Sequence, residues 1–230
     1  TSIGRPRLTS IIPNTTINDT SQVVTIANPG LQPQEADNYD LSLEYYFEPI
    51  GLFSVGVFAK DVRNFIFSDT SGIVGSGANN GFDGNYEGYQ ITTSANGGFA
   101  KYRGFELSYQ QQFTFLPGFL GGLGVNMSFT RLETEGNYGS ATGTTKVAGF
   151  RPKTANLGIS YRRSKYDIRL QGNWVDTFQR NVNNNPSLVT YEIPHIRTSA
   201  KFGYTLASRV TLYVNWDNIN PVEVHFTYRS

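Results

Sequence analysis

The chain has 230 residues, a formal net charge of +1 and no cysteine. This excludes disulfides and thiolate metal sites, and the overall charge gives no case for binding nucleic acid. Charged residues make up 16% of the sequence, below the roughly 25% usual for soluble domains, while aromatic residues reach 14%. Mean hydropathy is −0.34, and no apolar run approaches the roughly 18 residues that a membrane-spanning helix needs.

Residues 1–37 are rich in Asn, Thr and Ser and are interrupted at Pro13, Pro29 and Pro33. This composition predicts an irregular region with one short strand near residues 22–26. The start of the chain lacks a basic segment followed by an apolar core, so no signal peptide is visible. We therefore expect a mature chain or a fragment, and the resemblance described below favours a fragment.

The first strongly patterned segment spans residues 38–47. Its alternate positions share one apolar face, formed by Tyr39, Leu41, Leu43, Tyr45 and Phe47. A period of two predicts an amphipathic β-strand. Similar patterns predict seven further strands, at residues 52–67, 86–115 (interrupted near 96–98), 123–132, 153–161, 166–175, 193–206 and 210–217, with the start of another after Pro221.

The connections between these strands alternate in length. The short ones are residues 48–51, 116–122, 162–165 and 207–209, and the long ones are 68–85, 134–151 and 177–191. Short turns on one side and long loops on the other are typical of membrane β-barrels. The basic turn of Arg162, Arg163 and Lys165 is interpreted as a solvated hairpin.

Aromatic residues gather at both ends of the predicted strands. Those beside the short turns are Tyr45, Phe47, Phe53, Phe113, Phe115, Phe119, Tyr161, Tyr166, Phe202 and Tyr204. Those near the long loops are Phe65, Phe67, Tyr102, Phe105, Phe129, Trp174 and Trp216. Two such levels predict the two interfacial girdles of a barrel. A soluble β-sandwich is the alternative, but it would not require aromatics at both strand ends.

The face opposite the apolar one is polar. Its predicted members are Glu44, Ser54, Lys60, Glu106, Ser108, Gln110, Gln112, Asn126, Ser128, Asn156, Ser160, Asp167, Arg169, Gln171, Asn173, Arg197, Ser199, Lys201, Tyr213, Asn215 and Asp217. So polar a surface does not suit the dry core of a small barrel. It predicts one wall of a wide barrel whose lumen is wet or plugged.

Several segments resemble TonB-dependent outer-membrane receptors of the Gram-negative envelope. The sequence NYDLSLEYYF at 38–47 is similar to a strand of that family. So are Gly4-Arg5-Pro6 with Ile11-Ile12-Pro13, and the strand carrying Gly56-Val57-Phe58, Lys60-Asp61-Val62 and Asn64-Phe65-Ile66. Later matches are Gly104-Phe105-Glu106, Pro152-Lys153 with Ala155-Asn156, and Val214-Asn215 with Asp217-Asn218-Ile219-Asn220. Together these segments extend over nearly the whole chain, and they follow one another in the order found in that family.

The resemblance implies an all-β fold: about eight to ten antiparallel strands of a transmembrane β-barrel that has about 22 strands in this family. Residues 1–37 would be an extracellular loop region, and residues 38–230 would be barrel strands of the same domain. The lumen-filling plug is absent from this sequence, so the chain is expected to be a C-terminal part of a receptor. The implied partners are outer-membrane lipid, the receptor's own plug and remaining barrel, a TonB-type energising protein, and a small-molecule or oligomeric substrate. Whether the receptor works alone or with a surface lipoprotein is left open.

Few segments carry residues suited to metal binding, catalysis or ligand stacking. The loop 75–88 carries oxygen-bearing side chains whose spacing does not match an EF-hand, so a calcium site and a plain surface loop both remain open. His195 and His225 lack the motif of a hydrolase around them. Five loop aromatics would serve to stack on a sugar or chelate, or to pack the loops: Phe82, Tyr86, Tyr89, Tyr138 and Phe178.

We therefore predict no enzyme and no cofactor, and we assign no residue as a metal ligand, with calcium in the loop 75–88 left open as above. The leading hypothesis is energised uptake of a large scarce solute: a ferric siderophore, a cobalamin-like cofactor, an oligosaccharide or a peptide. The candidate contacts to that solute or to the plug are Glu44, Glu106, Arg169, Arg197 and Lys201. The alternatives are a small closed barrel acting as an anchor or adhesin, in which the first and last strands would pair, and an outer-membrane hydrolase.

Overall fold

The computed structural model describes residues 1–139, 143–183, 187, 189–207 and 210–220, and the backbone of residues 226–228. The strands within these residues are, in chain order, Ser2–Gly4 (β1), Thr15–Asn18 (β2), Val23–Ile26 (β3), Gln34–Phe47 (β4), Gly51–Arg63 (β5), Ile66–Ile73 (β6), Gln90–Asn96 (β7), Phe99–Gln112 (β8), Leu123–Asn137 (β9), Thr144–Thr145 (β10), Lys153–Arg163 (β11), Tyr166–Val175 (β12), Phe178–Gln179 (β13), Thr190–Glu192 (β14), His195–Ala207 (β15), Val210–Trp216 (β16) and Phe226–Tyr228 (β17). A short α-helix at Leu8–Ile11 (α1) and a 3-10 turn at Gly118–Gly122 accompany them.

The main sheet has ten strands and is antiparallel throughout. Its order is β1-β4-β5-β8-β9-β11-β12-β15-β16, and β10 pairs with the C-terminal end of β9, at residues 136–137. Among the described residues, β16 pairs only with β15, and β1 and β4 form the opposite edge. The sheet is therefore an open wall. The pairing of first with last strand that a small closed barrel requires does not occur in the described part of the chain.

The predicted alternation of connections is confirmed. At one end of the main sheet, β4 joins β5 through residues 48–50 and β11 joins β12 through residues 164–165. At the other end, β5 leads to β8 through 64–98, and β12 leads to β15 through 176–194. We call these the short-turn end and the long-loop end. The predicted short connection 207–209 includes Ser208 and Arg209, which lie outside the described residues.

At the long-loop end, β4 and β9 run longer than the sequence patterns predict, whereas β5 ends at Arg63, before the predicted residue 67. β4 begins at Gln34, so the expected boundary at residue 37 falls inside it, and β9 continues to Asn137. The long loops also build two small sheets of their own, ordered β2-β3-β7-β6 and β13-β14-β17. The strand expected after Pro221 is thus β17, and it joins a loop sheet instead of the main wall.

The two faces of the main sheet follow the predicted alternation. One cross-strand row on the apolar face runs Leu43, Val55, Leu107, Phe129, Ala155, Trp174 and Ile196. These side chains lack a covering layer: Leu43 is 72% exposed and Ile196 is 50% exposed. Among the described residues, no helix is long and apolar enough to cross a membrane.

The main buried cluster lies at the long-loop end, on the polar face. Ala36, Val62 and Ala100 on the wall meet four loop residues, and the cluster's loop members are Phe65, Tyr138, Val147 and Val182. Phe67 and Tyr102 pack against it. The assignment of Phe65, Phe67 and Tyr102 to an interfacial girdle is therefore wrong. Their rings fold inward because three long loops bury one another there, whereas Phe105 and Trp174 do share the apolar face.

Candidate functional site

The polar face of the main sheet is the candidate functional surface, and we call it the inner wall. The strand register places its side chains in rows across the sheet. One row runs Glu44, Ser54, Ser108, Ser128, Asn156, Asn173 and Arg197. Within that row, the Asn156 amide donates to the Ser128 hydroxyl oxygen at 2.9 Å. The predicted polar face is therefore one continuous surface.

The register brings two of the five predicted contact residues together. Arg169 on β12 is the direct cross-strand partner of Lys201 on β15, and Arg197 lies four residues before Lys201 on the same strand. Glu44 on β4 and Glu106 on β8 lie on the other half of the wall, where Glu44 accepts a hydrogen bond from the Tyr46 hydroxyl. The five residues share a face, but they form no single pocket.

Asp167 organises the basic side of the inner wall. Its Oδ2 lies 3.0 Å from an Arg162 guanidinium nitrogen, and its Oδ1 lies 3.5 Å from Nε of Arg169. The sequence interpretation missed this role for Arg162, which was assigned to a solvated turn. Arg162 belongs to β11 and pairs directly with Asp167, so its position in the strand alternation was the available signal. Lys201 places its Nζ 4.3 Å from the centre of the Tyr213 ring.

Two recesses open beside these cations. One, of about 320 Å³, is lined by Arg162, Arg169, Ser160, Gln171 and Gln112 among others. The second, of about 290 Å³, is lined by Asn173, Arg197, Thr198, Ser199 and Asn218. Guanidinium groups beside amides and hydroxyls suit the recognition of carboxylate or phosphate oxygens.

A larger cleft of about 940 Å³ lies at the long-loop end. It forms where β11 begins at Lys153, so one side of β9 beyond Arg131 lacks a strand partner until β10 meets it at Gly136. The cleft is bordered by Arg131, Glu133, Lys153 and Asp176, which make two ion pairs of 2.8 and 3.3 Å. This cleft is a notch in the rim of the wall, and its charges are largely paired.

The loop 75–88, considered above for calcium, is held together by hydrogen bonds made by the side chain of Asn80. The Asn80 Oδ1 accepts hydrogen bonds from the amides of Phe82 and Gly84, at 2.9 and 3.0 Å. The Asn80 Nδ2 donates to the carbonyls of Gly75 and Asn85. Its oxygen is thus committed to the turn. Among the described residues there is no group of three or more His, Cys, Asp or Glu arranged to hold a metal ion.

The loop aromatics divide into two groups. Tyr138 and Phe178 are buried, so they pack the loops. Phe82, Tyr86 and Tyr89 are half-buried, and successive ring centres lie 6.0 and 5.4 Å apart. The Tyr89 hydroxyl donates to Asp19 at 3.2 Å, and burial together with this carboxylate raises the pKa of Tyr89. These three rings form one contiguous group in the loop between β6 and β7.

His195 is buried at the start of β15. Its Nδ1 lies 3.7 Å from a Glu192 carboxylate oxygen and 3.3 Å from the Ile193 carbonyl. His225 lies outside the described residues. No Ser or Thr hydroxyl is recorded within hydrogen-bonding distance of the His195 ring in the described part of the chain, so the geometry gives no sign of a nucleophile-base pair.

An open antiparallel wall with one apolar face, one polar face, short turns at one end and long loops at the other defines a segment of a membrane β-barrel. The model of the TonB dependent receptor-like, beta-barrel family matches residues 1–219. The chain therefore belongs to that family, which implies an outer-membrane β-barrel. A search of curated proteins finds no match.

Solved structures with the same fold include receptors and a transporter. The copper transporter OprC has a TM-score of 0.68 and 16% identity over 97% of this chain and 31% of its own. A mutant of the ferric enterobactin receptor PfeA from Pseudomonas aeruginosa has a TM-score of 0.63 and 16% identity over 95% of this chain and 31% of its own. The siderophore receptor PirA from Acinetobacter baumannii has a TM-score of 0.58 and 17% identity over 86% of this chain and 29% of its own. The chain thus spans less than a third of each.

Proposed function

We propose that this chain forms part of the barrel wall of an outer-membrane receptor that takes up a large, scarce solute with energy supplied by a TonB-type partner. The observation that carries the proposal is the inner wall. It is a continuous polar surface opposite an exposed apolar face, and it ends at long loops that pack together. A polar wall of this width suits a hydrated or plugged passage.

The long-loop end supplies the entrance in this proposal. The loop cluster around Phe65 and Tyr138 lies on the inner-wall side, so the loops lean over the lumen. The Thr70 hydroxyl donates to the Val182 carbonyl at 3.3 Å, which ties strand β6 of the loop sheet to the loop after β13. Because the loops hold one another, they present a preformed rim to an arriving solute.

The solute is proposed from the same four classes as above: a ferric siderophore, a cobalamin-like cofactor, an oligosaccharide or a peptide. Siderophore receptors and a copper transporter share the fold, and at 14–17% identity this likeness extends to the fold alone. Glu44, Glu106, Arg169, Arg197 and Lys201 are proposed to contact the solute or the plug. The remaining partners proposed are outer-membrane lipid, the plug and remaining barrel, and a surface lipoprotein.

Uptake by cells tests the proposal. Accumulation of radiolabelled members of the four solute classes is measured in a strain that lacks the full-length protein and in one that carries it. Each strain is assayed with and without the TonB-type partner. The proposal expects accumulation of one class that needs both the protein and the partner. Accumulation that persists without the partner would contradict energised uptake, and a protein that only changes adhesion would support the anchor alternative.

A further inference from the structure

The charges on the inner wall are segregated between its two halves. On β4, β5 and β8, the register places Asp40, Glu44 and Glu106 on this face against a single cation, Lys60. All four side chains are exposed. This half, which we call the acidic half, therefore carries a net negative charge within the described strands.

The half formed by β11, β12 and β15 has the opposite sign. It carries Arg162, Arg169, Arg197 and Lys201 against Asp167, and we call these four cations the cationic column. One carboxylate contacts two of the guanidinium groups, and no ion pair joins Arg197 or Lys201 to a carboxylate among the described residues. Asp217, which follows β16, adds a second negative charge, and with four cations against two carboxylates the net charge of this half is still positive.

The column has the geometry of successive anion contacts. Arg197 and Lys201 are four residues apart on β15, which places their backbones about 13 Å apart. Arg169 faces Lys201 directly, at the roughly 5 Å separation of cross-strand neighbours. Arg162 continues the line to the short-turn end. The two recesses described above open beside Arg197 and beside Arg162 and Arg169, so donors and space coincide.

We propose that the cationic column binds and guides an anionic solute that bears several carboxylate or phosphate groups. This inference rests on the proposed uptake function and names the charge class of its solute. Two anionic groups about 1 nm apart would engage Arg197 and the Arg169–Lys201 pair together. The acidic half repels the same groups, so the solute is held to one side of the lumen.

The reactivity of engineered cysteines with charged thiol reagents measures the electrostatic potential of each half of the inner wall directly. The chain has no cysteine, so Ser199→Cys, between Arg197 and Lys201, and Ser54→Cys, beside Glu44, are unique labels within it. Each is placed in the full-length receptor, freed of any other reactive cysteine, and labelled with sulfonatoethyl (anionic) or trimethylammonioethyl (cationic) methanethiosulfonate. Comparing the two reagents at one site cancels differences in thiol reactivity.

We expect the anionic reagent to be favoured at Ser199→Cys by on the order of tenfold at low salt, and the cationic one at Ser54→Cys. The triple change Arg169→Gln, Arg197→Gln, Lys201→Gln should bring the ratio at Ser199→Cys towards one. Citrate, used as a polyanionic probe, should slow an uncharged methyl reagent at Ser199→Cys and leave Ser54→Cys unaffected.

Equal reagent ratios at both positions, or the absence of citrate protection at Ser199→Cys, would overturn this inference and leave the uptake proposal standing. A different result would count against the uptake proposal itself. If both cysteines react only with membrane-permeant reagents, the polar face is not in water, and the inner wall assumed for uptake is misplaced.

Discussion

The Tyr138 hydroxyl oxygen accepts a hydrogen bond from the amide of Ala148, with the two atoms 3.1 Å apart. The same hydroxyl donates to the Lys146 carbonyl at 3.4 Å, while the Tyr138 ring lies edge-on to Phe65 and Phe67 at 5.1 and 4.8 Å. Tyr138 is only 3% exposed. One side chain therefore ties the 143–152 segment to the loop that follows β5.

Replacing Tyr138 by Phe should loosen the 143–152 segment. The change keeps the ring but leaves the Ala148 amide and the Lys146 carbonyl without their partner, at a cost of about 1–3 kcal/mol. The Ala148 amide should then exchange its hydrogen at least about fivefold faster, as followed by hydrogen–deuterium exchange of the full-length receptor. Tyr89→Phe, in another loop, is the control. Unchanged exchange at Ala148 would contradict the tie.

Alkaline pH should loosen the same cluster. Burial is the main cause that raises the pKa of Tyr138, and the Ala148 hydrogen bond opposes it in part. Because the folded-state pKa exceeds that of the unfolded chain, the contribution to stability is complete below about pH 10 and declines as the pH rises through the folded value. Phenolate absorbance compared between the wild type and Tyr138→Phe should reveal one late-titrating tyrosine. A difference titration at the ordinary pKa would disprove this.

Gly104→Ala should impair folding of the wall. A Cβ at this position would come within 2.2 Å of the Arg131 carbonyl oxygen and 2.6 Å of the Phe58 ring, and the backbone oxygen cannot move aside without breaking the β8–β9 pairing. We expect a loss of at least about 1–3 kcal/mol, measured by urea unfolding of the refolded receptor. Gly172→Ala is the matched control, since nothing lies within 4 Å of its Cβ position. Equal stability of the two variants would refute the argument.

A charge on the apolar face should cost far more than one on the inner wall. Leu43→Arg puts a guanidinium into lipid and should destabilise the barrel by about 2–4 kcal/mol near the bilayer centre. Ser54→Arg, on the neighbouring strand, faces the lumen beside Glu44 and should be tolerated. Unfolding in lipid vesicles compares the two. The reverse order would mean that the faces are exchanged.

The positions of most main-sheet strands and the two faces of the sheet were predictable because a period of two over eight or more residues is a strong local signal. The segment 166–175 illustrates this, since the observed β12 has the predicted bounds. The pairing of β3 with β7 was not predictable, because a parallel contact between residues 23 and 90 leaves no local pattern.

The site was predicted only as a face. Arg169, Arg197 and Lys201 were assigned correctly to the polar side, but their grouping depends on the β12–β15 register. Arg162 was predicted to lie in the turn after residue 161, whereas β11 continues to Arg163, because a basic turn and a strand end look alike in sequence. Phe65 was misassigned for a different reason. Its burial comes from Tyr138 and Val182, which lie 73 and 117 residues away, and girdle aromatics carry the same local signature.

The most direct test of the whole account is a density map of the full-length receptor in a lipid environment. The account predicts that β1 and β4 at one edge, and β16 at the other, each pair with further strands, so that this chain is one arc of a wide barrel with the inner wall facing the lumen. Pairing of β16 with the β1–β4 edge in a small closed barrel would contradict it.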